Sequence, residues 1–171
     1  SQITTGSKNT CMGKGAGGSL ATGDENVCLG RESAPAATDS DNSVTLGSSQ
    51  ISSLRCQVQS ISALSDERDK TDIINLPYGL DFINSTRPVQ FKWNIRDKYR
   101  LENNPHQGKT RNGFIAQELL ALGNNDQHSL VLEDNPDRLE AANAALMPMM
   151  VKAVQELSAK VVELEKKLED K

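Results

Sequence analysis

The chain has 171 residues, of which 36% are hydrophobic and only 4% aromatic, and its formal net charge is −4. That supply excludes one large monomeric core: part of the chain must be thin and repetitive, or its cores must be completed by other copies of the chain. No basic stripe marks a nucleic-acid footprint and no apolar run approaches the ~18 residues of a membrane helix, so neither nucleic acid nor membrane insertion is expected. No signal peptide is visible. The chain opens on Ser1, inside a repeat, and reads as the C-terminal piece of a longer protein.

The first part, residues 1–50, repeats. NTCMG (9–13), NVCLG (26–30) and SVTLG (43–47) place Gly13, Gly30 and Gly47 at steps of 17, with Met12, Leu29 and Leu46, and Cys11, Cys28 and Thr45, in the same step. One short β-favouring stretch per fixed period predicts stacked β architecture. Each repeat brings about two or three apolar side chains, too few to close a core alone, whereas one axial core shared among chains would suffice. The alternative is a flexible Gly/Ser-rich linker, which has no reason to hold an apolar residue in register three times. The repeat resembles the stacked turns of trimeric adhesin heads and phage fibre shafts, with motifs of the form N-x-x-x-G. That resemblance implies a homotrimer. The three cysteines, Cys11, Cys28 and Cys56, form no CxxC pair and lie far from His106 and His128. No metal or other cofactor is expected, and the thiols are expected to act as small buried apolar residues.

Residues 51–64 place Ile51, Leu54, Cys56, Val58 and Ile61 in near-alternation, which predicts a connecting strand. SDERDKTDIINL (65–76) reads as the start of a helix, capped by Ser65, with Asp66 and Glu67 complementing its positive end and Pro77 stopping it. LDFIN (80–84) suggests a short helix. Val89, Phe91 and Trp93 alternate with Gln90 and Lys92 as in a half-buried strand. Residues 94–112 are hydrophilic, with Pro105 and Gly108, and suit an arm or a variable hairpin. GFIAQELLALG (113–123) becomes helical and ends at Gly123, and HSLVLED (128–134) reads as a short strand. From about Ala144 to Lys171, Met150, Leu157 and Leu164 alternate with Val154, Val161 and Leu168 at gaps of 4 and 3, a heptad pattern. In it Lys160 and Glu165 suit pairing between parallel chains, and Glu163 and Lys167 suit pairing within one helix. A helix packed on its own domain is the alternative. Valine at a with leucine at d favours two strands, but the repeat argues for three, and neighbouring domains can override a short coil. The whole is an α+β chain: a β-repeat shaft (1–50), a connecting strand (51–64), a small mixed domain (65–143) and a coiled-coil helix (144–171), intertwined as a homotrimer.

Ser65 and Lys70 stand five apart at the border between repeat and domain. The simple reading of Ser65 is a helix cap worth about 1 kcal/mol. The other reading is a Ser–Lys dyad. A serine hydroxyl is a weak nucleophile and needs a base. A lysine amine serves only when neutral, which requires a dry setting such as a subunit interface. Five residues along a straight α-helix turn about 140° net, so the two side chains meet only if Ser65 lies at or before the first turn.

The chain here resembles the C-terminal intramolecular chaperones of phage tailspikes and tail fibres, self-cleaving domains that recur in some membrane-tethered transcription regulators of animals. SDERDKTDI (65–73), RPVQFKW (87–93), GFIAQE (113–118) and LMPMMVKAVQELSAKVVELEKKL (146–168) carry the resemblance in order. It implies a domain that trimerises the fibre ahead of it and then cuts the Leu64–Ser65 bond. Ser65 is then the nucleophile and Lys70 the base, with an ester formed by an N-to-O shift and hydrolysed by water. Asp66 and Arg68 would hold the motif, and Glu118 is a candidate support from the other segment. The implied setting is a virion tail fibre or tailspike, assembled in the host cytoplasm, whose mature particle lacks the chaperone. The rival function is a non-enzymatic trimeric fibre tip that binds a host receptor, with Tyr99 and His106 in its binding loop. A glycan hydrolase finds no convincing carboxylate pair.

Overall fold

A computed structural model describes residues 4–58, 60–96 and 104–170, and among these it is a mixed α+β chain that divides into two compact units. The first unit holds residues 1–54, 90–112 and 132–140. Its strands β1 (Thr10–Met12), β2 (Val27–Leu29) and β3 (Val44–Leu46) form a parallel sheet in the order β1-β2-β3. The register is the repeat itself: Thr10, Val27 and Val44 align, as do Cys11, Cys28 and Thr45, and Met12, Leu29 and Leu46. Each repeat is thus one turn of a coil that advances by one strand spacing. The glycine closing each strand is required at this spacing. Gly13 has φ +133°, and a Cβ on it would lie 2.6 Å from the carbonyl carbon and oxygen of Gly30.

Polar groups share the coil's interior with a few apolar side chains, which composition alone did not suggest. Fully buried Asn26 accepts at Oδ1 from the Ser43 amide (3.1 Å) and hydroxyl (2.7 Å). Its Nδ2 donates to Asn9 Oδ1, Asp24 O and Ser40 O, while its own amide donates to Asn9 Oδ1 at 2.9 Å. Asn9, Asn26 and Ser43 therefore form a ladder at the repeat step that satisfies backbone donors from turn to turn. Ala16, Leu20, Cys28 and Ser33 are buried beside it, whereas Met12, Val44 and Leu46 are exposed. Of the cysteines expected to be buried, only Cys28 is; Cys11 is half-buried and Cys56 exposed.

Also in this unit, side chains from later in the chain hydrogen-bond to the end of the coil. Asn104 Nδ2 donates to Ser49 O, His106 Nε2 lies 2.8 Å from Ile51 O, and Asn135 Nδ2 donates to Ala36 O at 2.8 Å. Strands β4 (Val89–Lys92) and β5 (Thr110–Gly113) pair as a two-stranded sheet, so the expected strand is present. Residues 97–103 of that segment, including Tyr99, lie outside the described residues, as do residues 1–3 of the repeat and Lys171 of the heptad segment.

The second unit holds residues 55–89, 113–131 and 141–171. Helix α1 (Leu80–Ser85) packs on the long helix α4 (Met147–Glu169). Helix α1 has no side-chain cap of its own; instead the Glu156 carboxylate of α4 accepts from the Leu80 amide at 2.7 Å. Gly79 makes room for it, since a Cβ there would stand 2.4 Å from both Glu156 carboxylate oxygens. Helix α2 (Ala116–Leu120) stops short of Gly123, whose φ is +78°. A further turn, α3 (Asn125–His128), takes the first residue of the expected strand 128–134, because Ser129 adopts a left-handed backbone (φ 50°). Only β6 (Val131–Leu132), paired with β7 (Glu140–Ala141), remains of that strand. The core gathers Leu119, Leu130, Val131, Leu146, Met149 and Ala153, and buried His128 sits against Tyr78 and Phe82.

Two expected elements do not form. Residues 51–64 have no strand among those described, and their apolar side chains face water: Ile61 is 97% and Leu64 100% exposed. Alternation alone does not make a strand without a sheet edge to pair with. Residues 65–76 make no α-helix, only a single 3₁₀ turn, Glu67–Asp69. The long helix α4 does form, over 23 residues, with Pro148 in its first turn, where its missing N–H costs nothing. Met150, Val154, Leu157, Val161, Leu164 and Leu168 all lie exposed along it.

Candidate active site

The 3₁₀ turn owes its shape to Asp66. Its carboxylate accepts from the Arg68 amide at 2.9 Å and takes the Arg68 guanidinium on both oxygens, Nε at 3.0 Å and Nη2 at 2.6 Å. Asp66 is therefore the cap of this turn, not Ser65. The guanidinium, aided by the Arg68 amide, holds the Asp66 carboxyl below its ordinary range, and the carboxylate raises Arg68 in turn. The chain leaves the turn at once: Lys70 is extended (φ −125°, ψ 148°), which ends any helix and sends its side chain back along the segment.

That reversal brings Lys70 to Ser65. Lys70 Nζ donates to Ser65 Oγ at 2.6 Å and to Ser65 O at 3.2 Å. The serine hydroxyl, relieved of capping, has the amine as its neighbour. Both residues are exposed in the single chain, as is Leu64 before them. Chemically, a hydroxyl in a short hydrogen bond to an amine can lose its proton to that amine once the amine is neutral. The Leu64 carbonyl is covalently next door, and attack on it by Ser65 Oγ closes a five-membered ring.

Glu118 stands elsewhere. Its carboxylate is gripped by Arg87, with Nε to Oε2 at 2.9 Å and Nη2 to Oε1, and no described hydrogen bond ties it to Ser65 or Lys70. Arg87 keeps the Glu118 carboxyl below its ordinary range, and Glu118 raises Arg87. The pair lines a cavity of about 40 Å³ with Phe114, Ile115, Leu119 and Leu122. It joins RPVQFKW to GFIAQE across 31 residues. Sequence reasoning had both motifs in hand but left Arg87 without a role. The signal was an unassigned cation in one and an acid in the other that lacked a named partner.

Residues 65–126 match the model of the peptidase S74 family, described as the chaperone of endosialidase. The match begins on Ser65 and includes Lys70, Arg87 and Glu118. No curated protein and no solved structure matches the chain.

Proposed function

We propose, from the match of residues 65–126 to the chaperone-of-endosialidase family model, that the chain assembles a trimeric phage tail fibre or tailspike from its C-terminal end and then severs itself. In this reading residues 1–50 are the last turns of the shaft, α4 is a three-stranded coil, and Ser65 cuts the Leu64–Ser65 bond with Lys70 as base. Asp66 and Arg68 set the turn that lets the two side chains meet. The observation that supports it is the 2.6 Å hydrogen bond between Lys70 Nζ and Ser65 Oγ, formed within one chain at the first residue of the matched segment.

Exposure of the pair gives the reaction its timing. A serine hydroxyl is a weak nucleophile until a neutral base stands beside it. Packing of a second and third chain over the segment removes water, favours the neutral amine and starts proton transfer. The amide nitrogen of Ser65 leaves as the ester forms, and water then releases Leu64 as a new carboxylate. Assembly thus precedes cutting without any separate trigger. The bare stripe on α4 raises the local concentration of the other chains. Asn104, His106 and Asn135 hold the end of the coil while it forms. Once the chaperone has been cut away, no guide remains for rewinding, and the shaft is kinetically trapped.

A denaturing gel of purified protein tests this. Cutting after residue 64 divides 171 residues into pieces of 64 and 107 (171 − 64), the second beginning Ser-Asp-Glu-Arg. Ser65→Ala and Lys70→Arg should each stay full length while remaining associated. Cutting should slow on dilution. Correctly associated wild-type protein that stays intact indefinitely would leave the rival reading, a fibre tip without chemistry.

A further inference from the structure

Cys11 and Cys28 hold the same register position in β1 and β2. In-register neighbours on adjacent parallel strands sit about 4.8 Å apart, and their side chains leave the sheet on the same face. That separation falls inside the roughly 4.4–6.8 Å between Cα atoms that a disulfide spans. The Gly17 amide donates to Ser33 O at 2.7 Å, which fixes that glycine beside the pair. Gly17 also crowds the pair from the side: a Cβ on it would lie 2.5 Å from Cys11 Sγ. Cys28 is fully buried, Cys11 half-buried, and both are free. The next register position is Thr45, so the thiol stack is two members deep and then ends.

We infer that Cys11 and Cys28 are a cross-turn disulfide site, oxidised when the protein meets low-molecular-weight disulfides outside a reducing cytosol. The Cys11 thiolate, the more accessible of the two, attacks one sulfur of the small disulfide and expels its other half as a thiolate. Cys28, giving its proton to the thiolate expelled in the first step, then attacks Cys11 Sγ and expels the second half. Two protein thiols are oxidised, and one small disulfide is reduced to two thiols. The bond ties one turn of the coil to the next, where cohesion otherwise rests on the asparagine ladder and backbone pairing. Closing a loop of this length restricts the unfolded chain and so favours the wound one. The step does not depend on the cleavage reading, because both cysteines lie in the repeat.

The full chain, incubated with glutathione disulfide, alkylated with iodoacetamide and digested, gives the test. The expected result is loss of two hydrogens in intact mass and a linked peptide pair containing Cys11 and Cys28. Dithiothreitol should reverse both, and the thermal midpoint of the oxidised coil should be higher. Cys56→Ser, a change at an exposed position, should keep the linked pair, and Cys11→Ser should lose it. Stable glutathione adducts on Cys11, linkage through Cys56, a bond between chains, or full alkylation of both thiols after unfolding would each overturn the assignment.

Discussion

The repeat coil and the C-terminal helix solve opposite problems. The coil has few apolar side chains, yet its buried Asn26 is paired from turn to turn within one chain, with Asn9 and Ser43. The helix is rich in apolar side chains, and those from Met150 to Leu168 at heptad spacing find no cover in one chain. Polar ladders confer register but little long-range attraction, whereas apolar stripes attract without fixing register along the coil. In the proposed reading, the helix brings copies together and the coil aligns them. The largest break in this division of labour comes from the helix. Leu157→Asp with Val161→Asp puts carboxylates on the stripe and is expected to abolish association, read by light scattering. In the proposed reading cutting stops with it, although Ser65 and Lys70 are untouched. Continued cutting by a monomer would show that the dyad needs no assembly.

The next effect lies in the coil. Asn26→Ala removes the hub of the ladder and strands the Ser43 and Asn9 groups in the interior, at a cost of about 2–4 kcal/mol. Gly13→Ala should cost a similar amount, because its Cβ meets backbone rather than a movable side chain and φ +133° suits only glycine. Denaturant unfolding of the variants measures both. If Asn26→Ala proves as stable as the parent, apolar contacts carry the coil and the comparison with the helix collapses.

Where sequence succeeded and failed follows from the same contrast. Periodic features were legible: the step of 17 became the register of three strands, and the heptad became α4, because each is a local pattern repeated until chance is excluded. Val89–Trp93 was legible for the same reason, as period two. What escaped was decided by a competitor for one hydrogen bond. Ser65 looked like the cap of a helix, but Asp66, one residue later, binds Arg68 with both oxygens and takes that place, so only a 3₁₀ turn survives. Ser129 in a left-handed conformation cut the expected strand to two residues. Helix geometry lets Ser65 meet Lys70 only with Ser65 outside a helix, and the turn satisfies that condition by a route the spacing does not contain. Glu118 with Arg87, and Glu156 with Leu80, join residues 31 and 76 apart, and no local pattern announces such partners.

The smallest effect sharpens the comparison at α4 itself, where one face serves its own chain. Glu156 caps α1, and the Leu80 amide first, then Lys152 and Lys160, hold its carboxyl below the ordinary value of 4.5. A carboxyl depressed in the folded state contributes stability that is fully present above its unfolded value. That contribution fades as pH falls through the folded one. Glu118, depressed by Arg87, acts in the same sense. Acid titration should therefore weaken the second unit below about pH 4.5, and Glu156→Gln should flatten that limb while retaining an acceptor for the Leu80 amide. Gly79→Ala displaces the same carboxylate by crowding it, so it should remove the same contribution by another route. The two substitutions together should then cost less than their sum in a double-mutant cycle. Strict additivity would mean that the carboxylate and the missing Cβ act on α1 independently, and that α4 holds its own chain by packing of Met149 and Ala153 alone.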